Sequence, residues 1–503
     1  MKNKPVLVVG ATGYVGVRLV SHLLGLGLRV RAAARSPDKL RVSPWAGDPA
    51  VESVRANVFD REMMRRACEG CSAAFYLVHS MGSHRSDFSR ADREAAENMA
   101  WAAKEARLDR VIYLGGLGED DPGLSEHLRS RAEVGVILQA GSVPATVLRA
   151  AMIIGSGSAS FEILRYLVDR LPVMITPRWV NTECQPIPIR NVLSYLSGCL
   201  EVPDTAGGTF DIGGPEIVTY RRLMQVYAEE ASLAKRLILP VPVLSPRLSS
   251  YWIHLLTPVP ASIARPLAEG LSNRVVCRED RIRNLVPQTL LDCRQAIRLS
   301  LKHSRWDLVE QAREDGSVSR EAESTFPGDP GWSGGTFFSD CRRVVLEATP
   351  EEVWEPIGRI GGDTGWYYAD WVWRVRGFLD RLAGGVGMRK GREDRPQYFP
   401  GDQVDFWRVR EATPGERLVL VAEMALPGCA ALVFRIRRKN SNTVELEQKS
   451  YFVPKGLGGI LYWAAVSPLH RLLFRGMLRG IASRTGKRVV LGPESVDLPE
   501  TKP

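Results

Sequence analysis

Residues 6–16 read Val-Leu-Val-Val-Gly-Ala-Thr-Gly-Tyr-Val-Gly, and this stretch constrains the fold more than any other. The four branched apolar residues predict a parallel strand that is buried on both faces. The three glycines that follow, spaced G-x-x-G-x-x-G, predict a tight turn into a helix that begins near Tyr14. Gly10 permits the turn, Gly13 lets backbone N–H groups approach a pyrophosphate, and Gly16 lets the helix pack closely on the strand. We predict a dinucleotide site formed by Gly10, Ala11, Thr12, Gly13, Tyr14, Val15 and Gly16.

A flexible loop before a helix is the alternative interpretation of the glycines. The strand, the glycines and an amphipathic helix occur in the order that a dinucleotide site requires, which favours the site. The second strand is predicted at 29–34 and ends at Arg35. Sites for NAD(H) carry an acidic residue near this position, whereas a guanidinium suits the 2′-phosphate of NADP(H), and Arg31 stands on the same strand. We therefore predict NADP(H), with NAD(H) as the alternative if Arg35 is only a solvated strand end.

Strands and helices continue to alternate along the next hundred residues. Strands are predicted at 54–58, 73–78 and 110–114, with helices from residue 60 and at 87–106. This alternation predicts an α/β doubly wound, Rossmann-type parallel sheet, which binds ligands at the carboxyl ends of its strands. We expect Asn57 and Val58 beside the adenine, and we expect the ribose and diphosphate beside Val78, His79 and Ser80.

The glycine motif, the missing acid after the second strand and the strand Thr146-Val-Leu-Arg149 resemble the atypical short-chain dehydrogenase/reductase superfamily. The chain is further similar to a bacterial subgroup of NAD(P)-binding proteins in Phe75–Met81, Tyr113–Leu117, His127–Gly135 and Ile154–Glu162. The resemblance covers roughly residues 1 to 300. It implies an NAD(P)-binding fold strongly and a particular reaction only weakly.

The catalytic residues usual in this superfamily are a serine after the fifth strand and a Tyr-x-x-x-Lys pair on the next helix. This chain has Gly115 and Gly116 in place of the serine, and His127 and Arg131 in place of the pair. Residues four apart share a helix face. We predict His127 as a proton donor made more acidic by Arg131, and Arg131 as a ribose contact. Two ordinary surface residues at helical spacing are the alternative. Glu162 and Arg178 are further polar candidates for contact with a substrate, although a structural role is favoured for each.

Residues 313–335 are rich in Gly, Pro, Ser and acidic residues, which predicts a linker. We therefore divide the chain into a dehydrogenase-like domain (1–312), the linker, a second domain (336–490) and a tail (491–503). The second domain is predicted to begin with a strand and a helix capped by Thr349 and Glu352, followed by antiparallel strands and a helix at 461–484. This order resembles the START/SRPBCC helix-grip fold, which implies an apolar small-molecule ligand. The segments Trp366–Trp371 and Leu457–Trp463 are similar to the uncharacterised domain that is fused to this dehydrogenase subgroup. The tryptophans of this domain either line such a pocket or fill a small core.

The formal charge is +10, but basic residues alternate with acidic ones, so we expect no nucleic-acid partner. The eight cysteines have no framework spacing, which is typical of free thiols in the cytoplasm. Cys68 and Cys71 have no second pair, so we predict that they pack in the core and that the chain has no metal site. We expect no signal peptide and no transmembrane helix. Membrane-surface contact through Arg471, Arg475 and Arg479 is the alternative to a solvated helix face.

Taken together, the residues and the resemblance predict a cytoplasmic oxidoreductase that acts on a bulky apolar carbonyl or enone. The alternative is a non-catalytic NADP(H)-binding protein, either a sensor or an assembly factor that resembles the nucleotide-binding accessory subunit of respiratory complex I. The loss of the Tyr/Lys pair with retention of the glycines favours this alternative. The sequence leaves the substrate, the direction of hydride transfer and the oligomeric state open.

Overall fold

The computed structural model describes residues 4–79, 88–118, 124–241, 256–302, 321–388 and 397–496. The chain divides into two compact units, Met1–Gly335 and Thr336–Pro503, and each unit has its own sheet. Within the described residues, no helix combines the length and the apolar character needed to cross a membrane.

The first unit is built from short strands that alternate with helices. Its strands are β1 (Val6–Val9), β2 (Val30–Ala34), β3 (Val51–Arg55), β4 (Ala73–Tyr76), β5 (Arg110–Gly116), β6 (Ala145–Ala150), β7 (Ile153–Ile154), β8 (Val173–Pro177), β9 (Glu183–Cys184), β10 (Ile187–Pro188), β11 (Thr209–Ile212), β12 (Val218–Thr219) and β13 (Leu237–Val241). Its helices are α1 (Tyr14–Gly25), α2 (Pro37–Arg41), α3 (Arg61–Cys68), α4 (Phe88–Glu105), α5 (Glu126–Ala140), α6 (Ala159–Arg170), α7 (Ile189–Glu201), α8 (Tyr220–Glu230), α9 (Ala261–Gly270), α10 (Arg281–Leu285) and α11 (Cys293–Lys302).

Seven of these strands form one parallel sheet in the order β11-β6-β5-β4-β1-β2-β3. This order confirms the predicted Rossmann-type fold. Val6 and Val8 of β1 pack into the core on one face, and Leu7 and Val9 pack into the core on the other. The strand order reverses between β1 and β4, so a crevice is expected beyond their carboxyl ends.

Two strands end earlier in the structure than the sequence predicts. The strand predicted at 54–58 lies at 51–55, and the strand predicted at 73–78 ends at Tyr76. After β3 the Oδ1 atom of Asn57 accepts a hydrogen bond from the N–H of Phe59, and Asp60 caps α3. These side-chain bonds compete with the sheet ladder and begin the turn early.

Residues 321–335, which we call the return segment, differ from the linker predicted at 313–335. Glu323, Ser324, Thr325 and Phe326 are buried in the first unit. The Arg190 guanidinium on α7 pairs with both carboxylate oxygens of Glu323. The Gly and Pro residues of this segment therefore form tight turns that pack within the first unit. The first unit extends to Gly335.

The described residues of the second unit form an antiparallel sheet with three α-helices. Its elements are β14 (Phe338–Leu346), α12 (Pro350–Ile357), α13 (Asp370–Leu382), β15 (Gln403–Val404), β16 (Trp407–Thr413), β17 (Arg417–Ala422), β18 (Gly428–Arg438), β19 (Val444–Pro454), α14 (Gly456–Arg484) and β20 (Val489–Ser495). The strand order is β15-β16-β17-β18-β19-β14-β20, and every neighbouring pair is antiparallel.

The predicted antiparallel sheet and the long last helix are confirmed in this unit. The capping box of α12 is also present, with Thr349 and Glu352 bonded to each other's backbone N–H groups. Two features differ from the sequence analysis. Helix α13 was not predicted, and the boundary at residue 490 falls inside β20, whose Ser495 pairs with Arg342 of β14.

Candidate functional site

The glycine turn joins β1 to α1 with very close backbone contacts. Gly10 has a φ of +89°, a conformation that favours glycine. A Cβ atom on Gly16 would lie 2.1 Å from the carbonyl oxygen of Gly10 and 2.9 Å from the Cα atom of Ala11. A Cβ atom on Gly13 would lie 3.3 Å from the same oxygen. The turn is therefore as tight as a dinucleotide motif requires.

The first turn of α1 is open to an anion. Gly13 occupies the N-cap position, no side chain caps the helix, and no acidic residue lies in its first turn. Gly13 is exposed, whereas Ala11 and Gly16 are buried. The uncapped N–H groups and the helix dipole favour a phosphate at this end of the helix.

The ring of Tyr14 packs on the 155–157 segment. A Cβ atom on Gly155 would lie 2.2 Å from the Tyr14 hydroxyl. This hydroxyl is buried and has no hydrogen-bond partner among the described residues. Burial raises the pKa of Tyr14, and the nearby Arg18 charge only partly opposes this effect. The phenol therefore stays protonated, and only the backbone of Tyr14 is suited to a phosphate.

The ends of β2 and β3 carry the predicted adenosine contacts. Arg35 directly follows β2 and is exposed. Arg31 is not available for a phosphate, because its Nε atom lies 2.8 Å from Glu52 and its Nη1 atom donates to the carbonyl of Ala67. Asn57 is half-buried, and the buried Val58 is held by a hydrogen bond from Asn98 to its carbonyl.

The end of β4 faces the glycine turn. The Cγ2 atom of Val78 would lie 3.2 Å from a Cβ atom on Gly10, so Val78 packs directly on the turn. His79 is exposed and lies close enough to His127 and Arg131 for their charges to interact. Ser80 lies outside the described residues.

Helix α5 brings His127 and Arg131 to the same region. The Cβ atom of Arg131 would lie 3.8 Å from a Cβ atom on Gly116, at the end of β5. The Tyr113 hydroxyl donates to the Arg131 carbonyl at 3.2 Å. The Nε atom of Arg131 is buried and has no hydrogen-bond partner among the described residues. An unpaired guanidinium N–H at this place is suited to a ligand hydroxyl.

The protonation of His127 differs from the sequence expectation. Burial, aided by the positive charge of Arg131, lowers the pKa of His127 to about 3. The predicted direction is correct, but so large a shift leaves the imidazole neutral at physiological pH. The ring can then donate or accept a hydrogen bond, whereas it cannot serve as a charged acid.

Arg18 is a buried residue that the sequence analysis missed. Its Nη2 and Nη1 atoms lie 2.7 and 3.1 Å from the two carboxylate oxygens of Asp329 in the return segment. It also donates to the carbonyls of Ser156, Ala322 and Ser324. The sequence signal that could have identified Arg18 is the presence of an arginine among the apolar residues of α1.

Glu162, a polar candidate for which a structural role was favoured, holds the return segment. Its carboxylate is fully buried and accepts hydrogen bonds from the N–H groups of Gly157, Gly334 and Gly335 at 2.9, 2.9 and 3.1 Å. The Nη1 atom of Arg165 lies 3.4 Å from the Oε1 atom of Glu162, so the guanidinium balances the negative charge of the carboxylate. Glu162 therefore has a structural role.

The cysteine pair is part of the core. Cys68 and Cys71 are both buried, and burial raises their pKa values to about 12 and about 11. Among the described residues, no group of three or more His, Cys, Asp or Glu side chains could hold a metal ion.

The second unit has a polar cluster on the inner face of its sheet. Asp340 and Arg342 share the face of β14 that carries the core residue Val344. The Nη2 atom of Arg342 lies 3.1 Å from the Oδ2 atom of Asp340. The Nδ1 atom of His470 on α14 lies 3.7 Å from the same Oδ2 atom of Asp340. Burial raises the pKa of Asp340, but His470 and Arg342 more than offset this effect and lower it. Gln448, the cross-strand partner of Arg342, is 2% exposed, and neither amide atom has a partner among the described residues.

Comparison with known proteins gives two family matches. Residues 10–155 match the family described as NAD(P)H-binding, and residues 332–477 match Protein of unknown function (DUF2867). Mitochondrial NADH dehydrogenase (ubiquinone) 1 alpha subcomplex subunit 9 of Arabidopsis thaliana is 24% identical over 226 residues, 44% of this chain and 56% of that protein.

Two further similarities concern reductases. The 4-hydroxy-2-methyl-3-oxo-4-farnesyl-3,4-dihydroquinoline-1-oxide ketoreductase of Stigmatella aurantiaca is 28% identical over 109 residues, 21% of this chain and 32% of that protein. The solved Citrobacter sp. triphenylmethane reductase in complex with NADP(H) has a TM-score of 0.48 and 18% identity, covering 59% of this chain and 99% of that chain. The chain thus spans less than two thirds of the length of either curated relative. Residues 10–155, which belong to the Rossmann-type unit, thus match an NAD(P)H-binding family, and residues 332–477 match DUF2867.

Proposed function

We propose that the first unit is an NADP(H)-dependent oxidoreductase for an apolar carbonyl or enone. The observation that carries the proposal is that Val78 packs on the Gly10 turn, while the next residue, His79, lies close to His127 and Arg131. The pyrophosphate would lie on the first turn of α1, and Arg131 would donate to a ribose hydroxyl. The bound dinucleotide supplies the hydride. The lack of a carboxylate in the first turn of α1 is consistent with this ligand.

In this proposal the neutral His127 donates a hydrogen bond to the substrate oxygen. Negative charge grows on that oxygen during reduction, and a fixed donor stabilises it. The proton then comes from water, because the pKa of His127 is too low for the ring to carry a positive charge at neutral pH. The role of the imidazole is therefore to orient and polarise the carbonyl.

Replacing His127 tests this role. With a library of apolar carbonyl compounds and NADPH, we expect His127→Phe to slow turnover about 10²-fold, because one donor to the oxyanion is lost. We expect His127→Gln to retain part of the activity, since its amide still donates. The rate should not titrate near pH 6.5 in the wild type, and NADPH consumption followed across pH 5.5 to 8 measures this. A wild-type rate that rises on acidification through pH 6.5 would instead assign His127 as a charged acid.

A non-catalytic NADP(H)-binding protein is the second candidate. It is favoured by Gly115 and Gly116 in place of the usual serine and by the low pKa of His127. The Arabidopsis relative, a subunit of an NADH dehydrogenase, is consistent with it. The same assay separates the two candidates, because a non-catalytic protein would bind NADPH without oxidising it for any compound in the library.

The preference for NADP(H) is supported by the exposed Arg35 at the end of β2. We expect Arg35→Ala to weaken NADPH binding by about 1 to 3 kcal/mol, because a charge-assisted hydrogen bond to the 2′-phosphate is lost. NADH binding should change little. Calorimetry with both cofactors measures the difference, and Arg29→Ala at the opposite end of the strand is the control. An equal loss for both cofactors would contradict the preference.

We propose that the second unit binds an apolar ligand in a helix-grip fold. This proposal is supported by the polar cluster on the inner face of the sheet, in particular by the two unpartnered amide atoms of Gln448. A buried amide without partners is costly, unless a bound molecule or water completes its hydrogen bonds. A ligand with one hydroxyl or carbonyl group on an apolar body suits this cluster.

A further inference from the structure

Helix α13 turns an apolar face toward solvent. Five of its side chains are between 48% and 70% exposed: Trp371, Val375, Phe378, Leu379 and Leu382. At 3.6 residues per turn they fall within an arc of about 100°. The opposite side, with Trp373, Gly377 and Asp380, is buried in the unit. The helix therefore has a second apolar face that does not pack in the core of the unit.

Positive charge borders this face, whereas both acidic residues of the helix are engaged elsewhere. Arg374 and Arg381 are exposed and seven residues apart, so they lie along the same edge. The Nη2 atom of Arg381 also donates to the carbonyl of Met388 at 2.7 Å. Asp370 accepts a hydrogen bond from the N–H of Trp366 at 2.7 Å. The buried Asp380 accepts from the N–H groups of Gly387 and Ala425 at 2.8 and 2.7 Å.

We propose that this face of α13 docks on an anionic lipid bilayer. Tryptophan, phenylalanine and leucine on one face with arginines at its edge are the composition of helices that lie in the membrane interface. The apolar side chains would enter the acyl boundary, and Arg374 and Arg381 would extend to the lipid phosphates. Anionic lipid is favoured because the exposed charges beside the face are positive.

Membrane contact of α14 was only the alternative to a solvated helix face, and the apolar residues on which that alternative rested are used within the unit. These residues, Leu473, Met477 and Ile481, are buried in the core. Docking by α13 does not depend on the proposed reaction, because lipid binding can be measured without NADPH or substrate.

Cosedimentation of the full chain with vesicles tests the proposal. We expect binding to vesicles of equal parts phosphatidylglycerol and phosphatidylcholine. Trp371→Glu/Phe378→Glu should lower this binding about a hundredfold, because two buried aromatic contacts are replaced by charges that anionic lipid repels. Val136→Glu is the matched control, since Val136 is an equally exposed apolar residue on helix α5 of the first unit. Arg374→Gln/Arg381→Gln should weaken binding to the anionic vesicles and reduce its dependence on salt.

Circular dichroism and thermal unfolding establish that each variant is folded, and Phe378→Ser replaces the double variant if it is not. Failure of the wild-type chain to bind anionic vesicles would overturn the proposal, as would binding that survives both Phe378→Ser and the double variant. A dimer that Phe378→Ser dissociates, without any vesicle binding, would assign the face to a second copy of the chain and also overturn it.

Discussion

The substitution Gly16→Ala is expected to abolish dinucleotide binding. The added Cβ atom would lie 2.1 Å from the carbonyl oxygen of Gly10 and 2.9 Å from the Cα atom of Ala11, and both are backbone atoms. No side chain can move aside, so α1 must shift away from β1 or the Gly10 peptide must rotate. Either change displaces the N–H groups that would hold the pyrophosphate. We expect the Kd for NADPH to rise at least about a hundredfold and the free energy of unfolding to fall by about 2 to 4 kcal/mol.

Calorimetry and chemical unfolding measure these two effects. Gly25→Ala is the matched control, because Gly25 is the last residue of the same helix and a Cβ atom there meets nothing within 4 Å. This control should leave NADPH affinity unchanged and slightly raise stability, since alanine costs less backbone entropy than glycine in a helix. Wild-type affinity in Gly16→Ala would show that the cofactor lies elsewhere.

Replacing Arg18 by methionine is expected to cost about 3 to 5 kcal/mol of stability, because a buried ion pair loses one partner. The side chain of Arg18 is 0% exposed and that of Asp329 is 5% exposed, so water cannot replace the lost contacts. The carbonyls of Ser156, Ala322 and Ser324 would lose their donor as well. The return segment should then detach and become sensitive to proteolysis.

Urea unfolding and limited proteolysis test this second prediction. Arg222→Met is the control, because Arg222 forms an exposed pair with Glu229, and exposed pairs contribute little. Adding Asp329→Asn to Arg18→Met should recover part of the loss, since the unpaired charge is removed. If Arg18→Met costs no more than Arg222→Met, the buried pair does not hold the return segment.

The sequence predicts the first sheet well because each of its strands carries its own signal. The apolar run of β1 is buried on both faces, and the glycine turn leads into a helix that begins at Tyr14. Right-handed crossovers then leave few topologies for successive strand and helix units. The capping box of α12 was predictable for the same reason, since Thr349 and Glu352 lie within four residues.

The remaining features depend on groups far apart in the chain. Arg18 and Asp329 are separated by 311 positions, and no local pattern connects them. Glycine and proline serve linkers and tight turns alike, so composition cannot tell which role residues 321–335 have. Gly334 and Gly335, with φ values of +84° and +80°, present their N–H groups to Glu162 in such a turn. The low pKa of His127 likewise arises from burial, which sequence spacing does not report.

The pairing of Arg18 with Asp329 also sets the order in which the first unit can mature during translation. The last strand of the parallel sheet is complete once Ile212 has left the ribosome, whereas Asp329 emerges more than a hundred residues later. Until then the Arg18 side chain lacks the carboxylate of Asp329 and the carbonyls of Ala322 and Ser324 that surround it in the complete unit. A domain cut at residue 312 would remain in that unfinished state permanently, so an isolated cofactor domain has to include Gly335.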